Sequence, residues 1–262
     1  MNILMVHSMC NISTNLKKGL EKLGHKVTIV GVDSPFEDEK PDITMNWKDI
    51  LHNKYGDDYD IVYLHSPNFK KCLAIQKYIG DKKLVCHWHG SDLRIWRKSF
   101  PIRTYMLWMA DAHIYSTIDL AWWIKRDMKF NILPPVDTEQ FKPNKEKKMG
   151  TVIFDGGGKA LEVHKIPHKF MPEYLNKFEK AEIHNAYGLS DKLMSVIALE
   201  CLACGLKVEQ FPNLNREWVV KNASVDVIAK KTEKILEDVI DENKDWEIQS
   251  LLSESNPLYD RD

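Results

Sequence analysis

One feature constrains the fold of this chain more than any other. Short apolar runs alternate with segments whose apolar residues recur at helical spacing. Ile3 to Val6 reads as a buried strand; Ile12, Leu16, Leu20 and Leu23 then repeat at helical period, and Gly24 stands where such a helix stops. Val27 to Val30 gives the next strand, and further strands are expected at Ile61 to His65, Leu84 to His89 and Ala112 to Tyr115, with helix-period segments between them. Parallel strands need crossover connections, so this alternation specifies a parallel sheet covered by helices on both faces.

A boundary follows. Pro134 and Pro135 interrupt the pattern, and the segment from Pro143 to Lys148 has the polar, charged chemistry of a linker. A second alternation starts at Thr151 to Phe154. It continues with a strand near Leu161 to His164, a helix around Tyr174 to Phe178 and a strand at Ala181 to His184. A helix over residues 192–204, a strand near Lys207 to Glu209 and a helix from about Val225 to Val239 complete it, and Ser253 to Asp262 reads as poorly ordered. The expectation is an α/β chain of two Rossmann-type units, 1–145 and 146–262, whose parallel sheets face a cleft.

Composition narrows the function classes. A net charge of −1 supplies no basic field for nucleic acid. No apolar run approaches the ~18 residues of a membrane span. The opening Met-Asn-Ile-Leu-Met-Val lacks a basic leader, and five scattered cysteines fit a reducing compartment better than a disulfide framework. A cytoplasmic protein is expected.

The richest stretch for chemistry is residues 192–208, an apolar helix pattern that carries Glu200 among Leu199, Leu202 and Ala203 and ends at Gly205. A buried carboxylate is costly unless an internal cation or a ligand with hydroxyl donors meets it, and the residue alone leaves both open. Lys192 reads either as an anion-attracting residue at the helix start or as an exposed lysine. Asp155-Gly-Gly-Gly-Lys159 follows a strand and allows close backbone approach to a ligand, or a simple turn. His87 and His89 share one face of a strand. Such a His-x-His pair suits zinc in a metal hydrolase, or is a pair of satisfied strand-end histidines. Cys201 and Cys204, mid-helix, read as packing residues. Arg94 to Trp108 interleaves basic and aromatic side chains, which suits an anionic lipid surface or a helix with packed aromatics and solvated charges.

In chain order, Met1 to His7, Leu23 to Val30, Tyr59 to His65, Trp88 to Arg94, Ala110 to Ser116, Ile132 to Pro143, Tyr174 to Ile183 and Leu199 to Gly205 resemble the GT-B glycosyltransferases, specifically the retaining family 4 enzymes. The resemblance covers most of the chain. It implies transfer of a sugar, with retention and without a metal at the diphosphate, from a nucleotide-diphosphate sugar to an acceptor that the sequence does not name: a glycan, lipid or protein. It implies no cofactor beyond that donor. Glu200 would accept hydrogen bonds from the ribose hydroxyls, while Lys192 and the backbone at Met194, Ser195 and Val196 would meet the diphosphate. Gly157, Gly158, Lys159 and Lys165 would lie beside it. His89, with Asp92, would line the cleft near the transferred sugar, and Arg94 to Trp108 would approach a membrane surface.

Three positions depart from that family's pattern. His7 to Ser13 holds no glycine, Lys192 stands where a glutamate is usual, and the second unit is short. Alternatives from other classes therefore stand beside transfer: a non-catalytic sugar-nucleotide or glycan-binding member of the fold, a sugar-nucleotide epimerase, and a zinc hydrolase built on His87 and His89.

Overall fold

Among the described residues, seven parallel strands form the larger of two sheets, in the order β3-β2-β1-β4-β5-β6-β7. They are β1 (Asn2–Val6), β2 (Lys26–Gly31), β3 (Ile43–Thr44), β4 (Ile61–His65), β5 (Lys83–Trp88), β6 (Ala112–Tyr115) and β7 (Lys129–Asn131). The computed structural model describes residues 1–6, 11–32, 40–46, 58–67, 79–90, 107–117, 129–144, 150–155, 168–184 and 195–241, with Asp49, Lys71, Cys72, Ile75, Leu93, Leu120, Ala121, Trp123, Ile124 and Ile166 between them. The strand order reverses at β1, which pairs with β2 on one side and β4 on the other. In open parallel sheets the crevice beyond the carboxyl ends of the strands at such a switch point is the usual ligand site.

Side-chain alternation divides the first sheet into two apolar faces. Leu4, Val6, Val62, Leu64, Leu84, Cys86 and Trp88 pack on one face. Ile3, Met5, Ile61, Tyr63, Val85, Ala112 and Ile114 point the other way, onto helix α1 (Ile12–Lys22) through Leu16 and Leu20. Strands buried on both faces read as continuous apolar runs, which is why β4 and β6 stand out in the sequence. Helix α1 stops where Gly24 adopts a φ of +90°, a conformation that glycine takes at little cost.

The second sheet has the order β10-β9-β8, again parallel, built from β8 (Thr151–Asp155), β9 (Lys180–His184) and β10 (Lys207–Val208). Its helices are α2 (Met171–Leu175), α3 (Val196–Ala203) and α4 (Arg216–Ala223), followed by α5 (Val225–Ile240). Two helices depart from expectation by more than a residue. The helix looked for around Tyr174 to Phe178 lies earlier, as a 3-10 turn over His168–Phe170 running into α2, where Pro172 sits in the first turn. Helix α3 begins at Val196 and not near Lys192, because the Ser195 hydroxyl accepts the Ala198 N–H and caps the helix there. The strand expected near Leu161 to His164 and the tail from Ser253 lie outside the described residues.

Helix α5 returns to the first sheet. Ile228, Ala229, Ile235, Leu236 and Val239 join the α1 face of that sheet's core. Ser224, in extended conformation (ψ 153°), separates α4 from α5 and makes a parallel bridge with Val136 of the crossover. The same crossover is clasped by Arg216, whose guanidinium donates to the carbonyls of Phe141 (2.6 Å), Ala203 (2.7 Å) and Thr138 (2.7 Å). His25 on the first unit pairs with Glu233 of α5 at 2.7 Å. The two sheets are thus tied through α5 and residues 136–141.

Candidate functional site

The carboxyl ends of β4, β5 and β6 carry a connected set of polar side chains on the face that also bears Tyr63. Parallel register puts His65 opposite His87, and His87 opposite Ile114, so His65, His87, His89 and Ser116 all project to one side. The Tyr63 hydroxyl lies 2.9 Å from His87 Nδ1, and His87 Nε2 lies 2.9 Å from Ser116 Oγ. Ser116 Oγ reaches His89 Nδ1 more loosely, at 3.4 Å, and His89 Nε2 meets His65 Nδ1 at 3.0 Å. The His65 and His89 rings are nearly parallel (6°), with centroids 5.2 Å apart, and meet edge to edge through those nitrogens. The result is a hydrogen-bonded chain, Tyr63–His87–Ser116–His89–His65, that runs from the core to the strand ends.

Its electrostatics follow from burial. His65 and His87 are fully buried, and only His89 reaches partial exposure. Burial, and then the neighbouring His89 and His65, holds His87 well below the ordinary histidine range. Burial pushes the Tyr63 hydroxyl well above its usual value. Neutral imidazoles offer one donor and one acceptor each, so this chain can run in either polarity. One ring nitrogen of each of the three histidines lies within 4.8 Å of the others.

His113 shows the contrast. It points to the opposite face, where Nδ1 accepts from the Trp88 indole (3.1 Å) and Nε2 accordingly donates to the Leu107 carbonyl (3.0 Å). That is a core histidine with both nitrogens committed.

On the second unit, Glu200 is buried to 5% exposure in a helix whose Ala198, Leu199, Cys201, Leu202, Ala203 and Cys204 are all fully buried. Helical spacing puts Glu200 over Val196 and Ile197, the two half-buried residues of the first turn. The carboxylate therefore lies one turn below the half-buried start of α3. The first-turn amides of Val196 and Ile197 lack intrahelical acceptors by position, while that of Ala198 is satisfied by Ser195. Cys201 and Cys204 pack in the core as the sequence suggests; burial, then Glu200, pushes the Cys201 thiol well up.

Of the residues expected to form the site, His89, Ser195, Val196 and Glu200 are described. Asp92, Gly157, Gly158, Lys159, Lys165, Lys192 and Met194 lie outside the described residues, as do Arg94 to Met106. Trp108, at the end of that basic and aromatic segment, is 67% exposed. Among the described residues no helix is long and apolar enough to cross a membrane. The sequence reading of the His87/His89 pair lacked His65, Tyr63 and Ser116. The signal available was that the expected strands Ile61 to His65 and Leu84 to His89 both end in histidine.

No protein-family model and no curated protein matches the sequence. Solved structures do. A UDP-N-acetylglucosamine 2-epimerase is similar over 91% of this chain and 88% of that one, with a TM-score of 0.50 and 12% identity. The spinosyn forosaminyltransferase SpnP aligns over 92% of this chain and 91% of its own, with a TM-score of 0.41 and 10% identity. The fold is α/β with parallel sheets, of the GT-B type.

Proposed function

We propose that this chain is a glycosyltransferase that moves a sugar from a nucleotide-diphosphate donor to an acceptor hydroxyl, with retention. The carrying observation is Glu200, a carboxylate at 5% exposure one turn from the half-buried start of an apolar helix. Such a group suits a pair of vicinal ribose hydroxyls, which donate to its two oxygens. The fold shared with an epimerase whose name specifies a UDP-sugar supports a nucleotide-sugar ligand.

In this reading unit 146–262 holds the donor. The Val196 and Ile197 amides and the positive end of α3 would face the diphosphate, with Lys192, Met194, Lys159, Lys165, Gly157 and Gly158 in the roles that the family resemblance implies and no metal required there. Unit 1–145 holds the acceptor, with His89 and Asp92 beside the transferred sugar. Ser116 and His65, the hydrogen-bonded partners of His89, hold its ring in place. Exposed Trp108 supports an acceptor presented at an anionic membrane surface.

The test is product analysis of the purified chain with a panel of nucleotide sugars, with and without acceptor glycans and lipid vesicles. Transfer predicts nucleoside diphosphate release that rises with one acceptor class and falls roughly 10- to 100-fold in Glu200→Ala. An epimerised sugar nucleotide formed without acceptor overturns transfer in favour of epimerisation. No turnover of any donor overturns the enzyme reading.

A further inference from the structure

The histidine cluster of the first unit has a use that sugar transfer does not require. We propose that His65, His87 and His89 form a binding site for a divalent transition-metal ion of the zinc class. The proposal stands apart from the donor site on α3 and does not rest on the sugar-transfer reading.

Geometry carries it. Around a tetrahedral zinc, imidazole nitrogens about 2.0–2.1 Å from the ion lie roughly 3.3 Å from one another. Here a ring nitrogen from each histidine already lies within 4.8 Å of the other two, and the His65–His89 pair is at 3.0 Å. Turning the three rings toward a common point would bring all three onto one ion. The three residues come from the ends of two adjacent, register-locked strands, His65 opposite His87. A sheet fixes such a constellation more rigidly than a loop does.

The surroundings also suit a metal. A ligating histidine ordinarily donates its second ring N–H to a neighbour, which fixes the tautomer. Tyr63 Oη, 2.9 Å from His87 Nδ1, is placed to accept that hydrogen and leave Nε2 for the ion. Ser116 Oγ, now 2.9 Å from His87 Nε2, would yield its place to the metal. Three imidazoles, with no carboxylate in the set among the described residues, favour zinc, cobalt, nickel or copper over magnesium and calcium. Three protein ligands leave a tetrahedral ion one open position, which a water or hydroxyl oxygen fills. His89 is the partly exposed member, so that position opens on its side.

The test uses the full chain without an affinity tag, stripped by chelator and titrated with Zn²⁺ and, separately, Co²⁺ as the probes. The proposal expects one equivalent of zinc per chain and the visible absorption bands of low-coordinate cobalt. X-ray absorption of the zinc-loaded wild type should show nitrogen ligands at about 2.0–2.1 Å with imidazole scattering. His65→Ala and His89→Ala should each weaken binding at least ~100-fold, whereas Ser116→Ala and Glu200→Ala should keep it. Absence of stoichiometric binding, a sulfur ligand shell, or full binding in both histidine variants overturns the site. Should the variants misfold, the absorption spectrum of the wild type decides alone.

Discussion

Gly19 offers the sharpest test of how the two units are joined. It lies inside α1, where glycine is about 1 kcal/mol worse than alanine, so an isolated helix would gain from Gly19→Ala. The structure reverses the sign. A Cβ at this position would stand 2.6 Å from the Ala229 Cβ, 2.9 Å from Val225 Cγ1 and 3.0 Å from the Val225 carbonyl oxygen, all on α5. Two of these are not flexible side-chain ends, so α5 itself must shift. Overpacking of this kind costs typically about 1–3 kcal/mol. Set against the propensity gain, the net expectation for Gly19→Ala is a loss of up to about 2 kcal/mol. A chain of this size loses about 2–4 °C of Tm per kcal/mol, so the expected drop is up to about 8 °C by thermal and urea denaturation. Glu21→Ala, at an exposed position of the same helix, should stay within about 0.5 kcal/mol. Adding Ala229→Gly to Gly19→Ala should recover part of the loss, a coupling of about 1 kcal/mol in a double-mutant cycle. A Gly19→Ala variant more stable than wild type would refute the close approach of α5 to α1.

Three further outcomes follow from the site and its supports. Ser195→Ala should cost about 1 kcal/mol through loss of the α3 cap, read by denaturation, and should weaken any anion bound at that helix start. At Asp137, burial raises the carboxyl, but the Lys18 ammonium and the Gln140 and Glu139 amides outweigh it and hold it below its ordinary value. Its contribution is therefore present above the unfolded carboxylate value and is lost as pH falls through the lower folded value; Asp137→Asn should flatten that acid limb of the stability curve. Cys201, pushed up by burial and fully enclosed, should label with a thiol reagent only on unfolding, and fast labelling of the native chain would contradict the packing of α3.

The sequence exposed those parts of the fold that are buried on both sides. Strands β4 and β6 match expectation residue for residue, because a run such as Ile61-Val-Tyr-Leu-His65 has no other reading in an alternating chain. Helix α4 was not legible: Arg216-Glu-Trp-Val-Val-Lys-Asn-Ala buries only Val219 and Ala223, and no apolar stripe recurs in eight residues. Its signal was the cap, Asn215 accepting from the Trp218 N–H at 3.0 Å. The start of α3 was misplaced for a related reason. Apolar residues continue from Leu193, so only the hydroxyl of Ser195 marks where the helix begins. The histidine cluster required strand adjacency as well as composition. His87 and His89 are visible as a pair, but His65 joins them only once β4 is known to lie beside β5 in register. The docking of α5 onto the first sheet was equally hidden, because its Ile228, Ile235 and Leu236 stripe says that it packs, not against what.

The central claim is that Glu200 anchors a nucleotide on α3. The most direct measurement is calorimetric titration of nucleoside diphosphates, in the presence of chelator, into wild type and Glu200→Ala. Wild type should bind one nucleotide base selectively, and Glu200→Ala, still folded, should lose about 1.5–3 kcal/mol of that affinity, the worth of hydrogen bonds to a charged group. Equal affinity in the two proteins, or no binding by wild type, would contradict it.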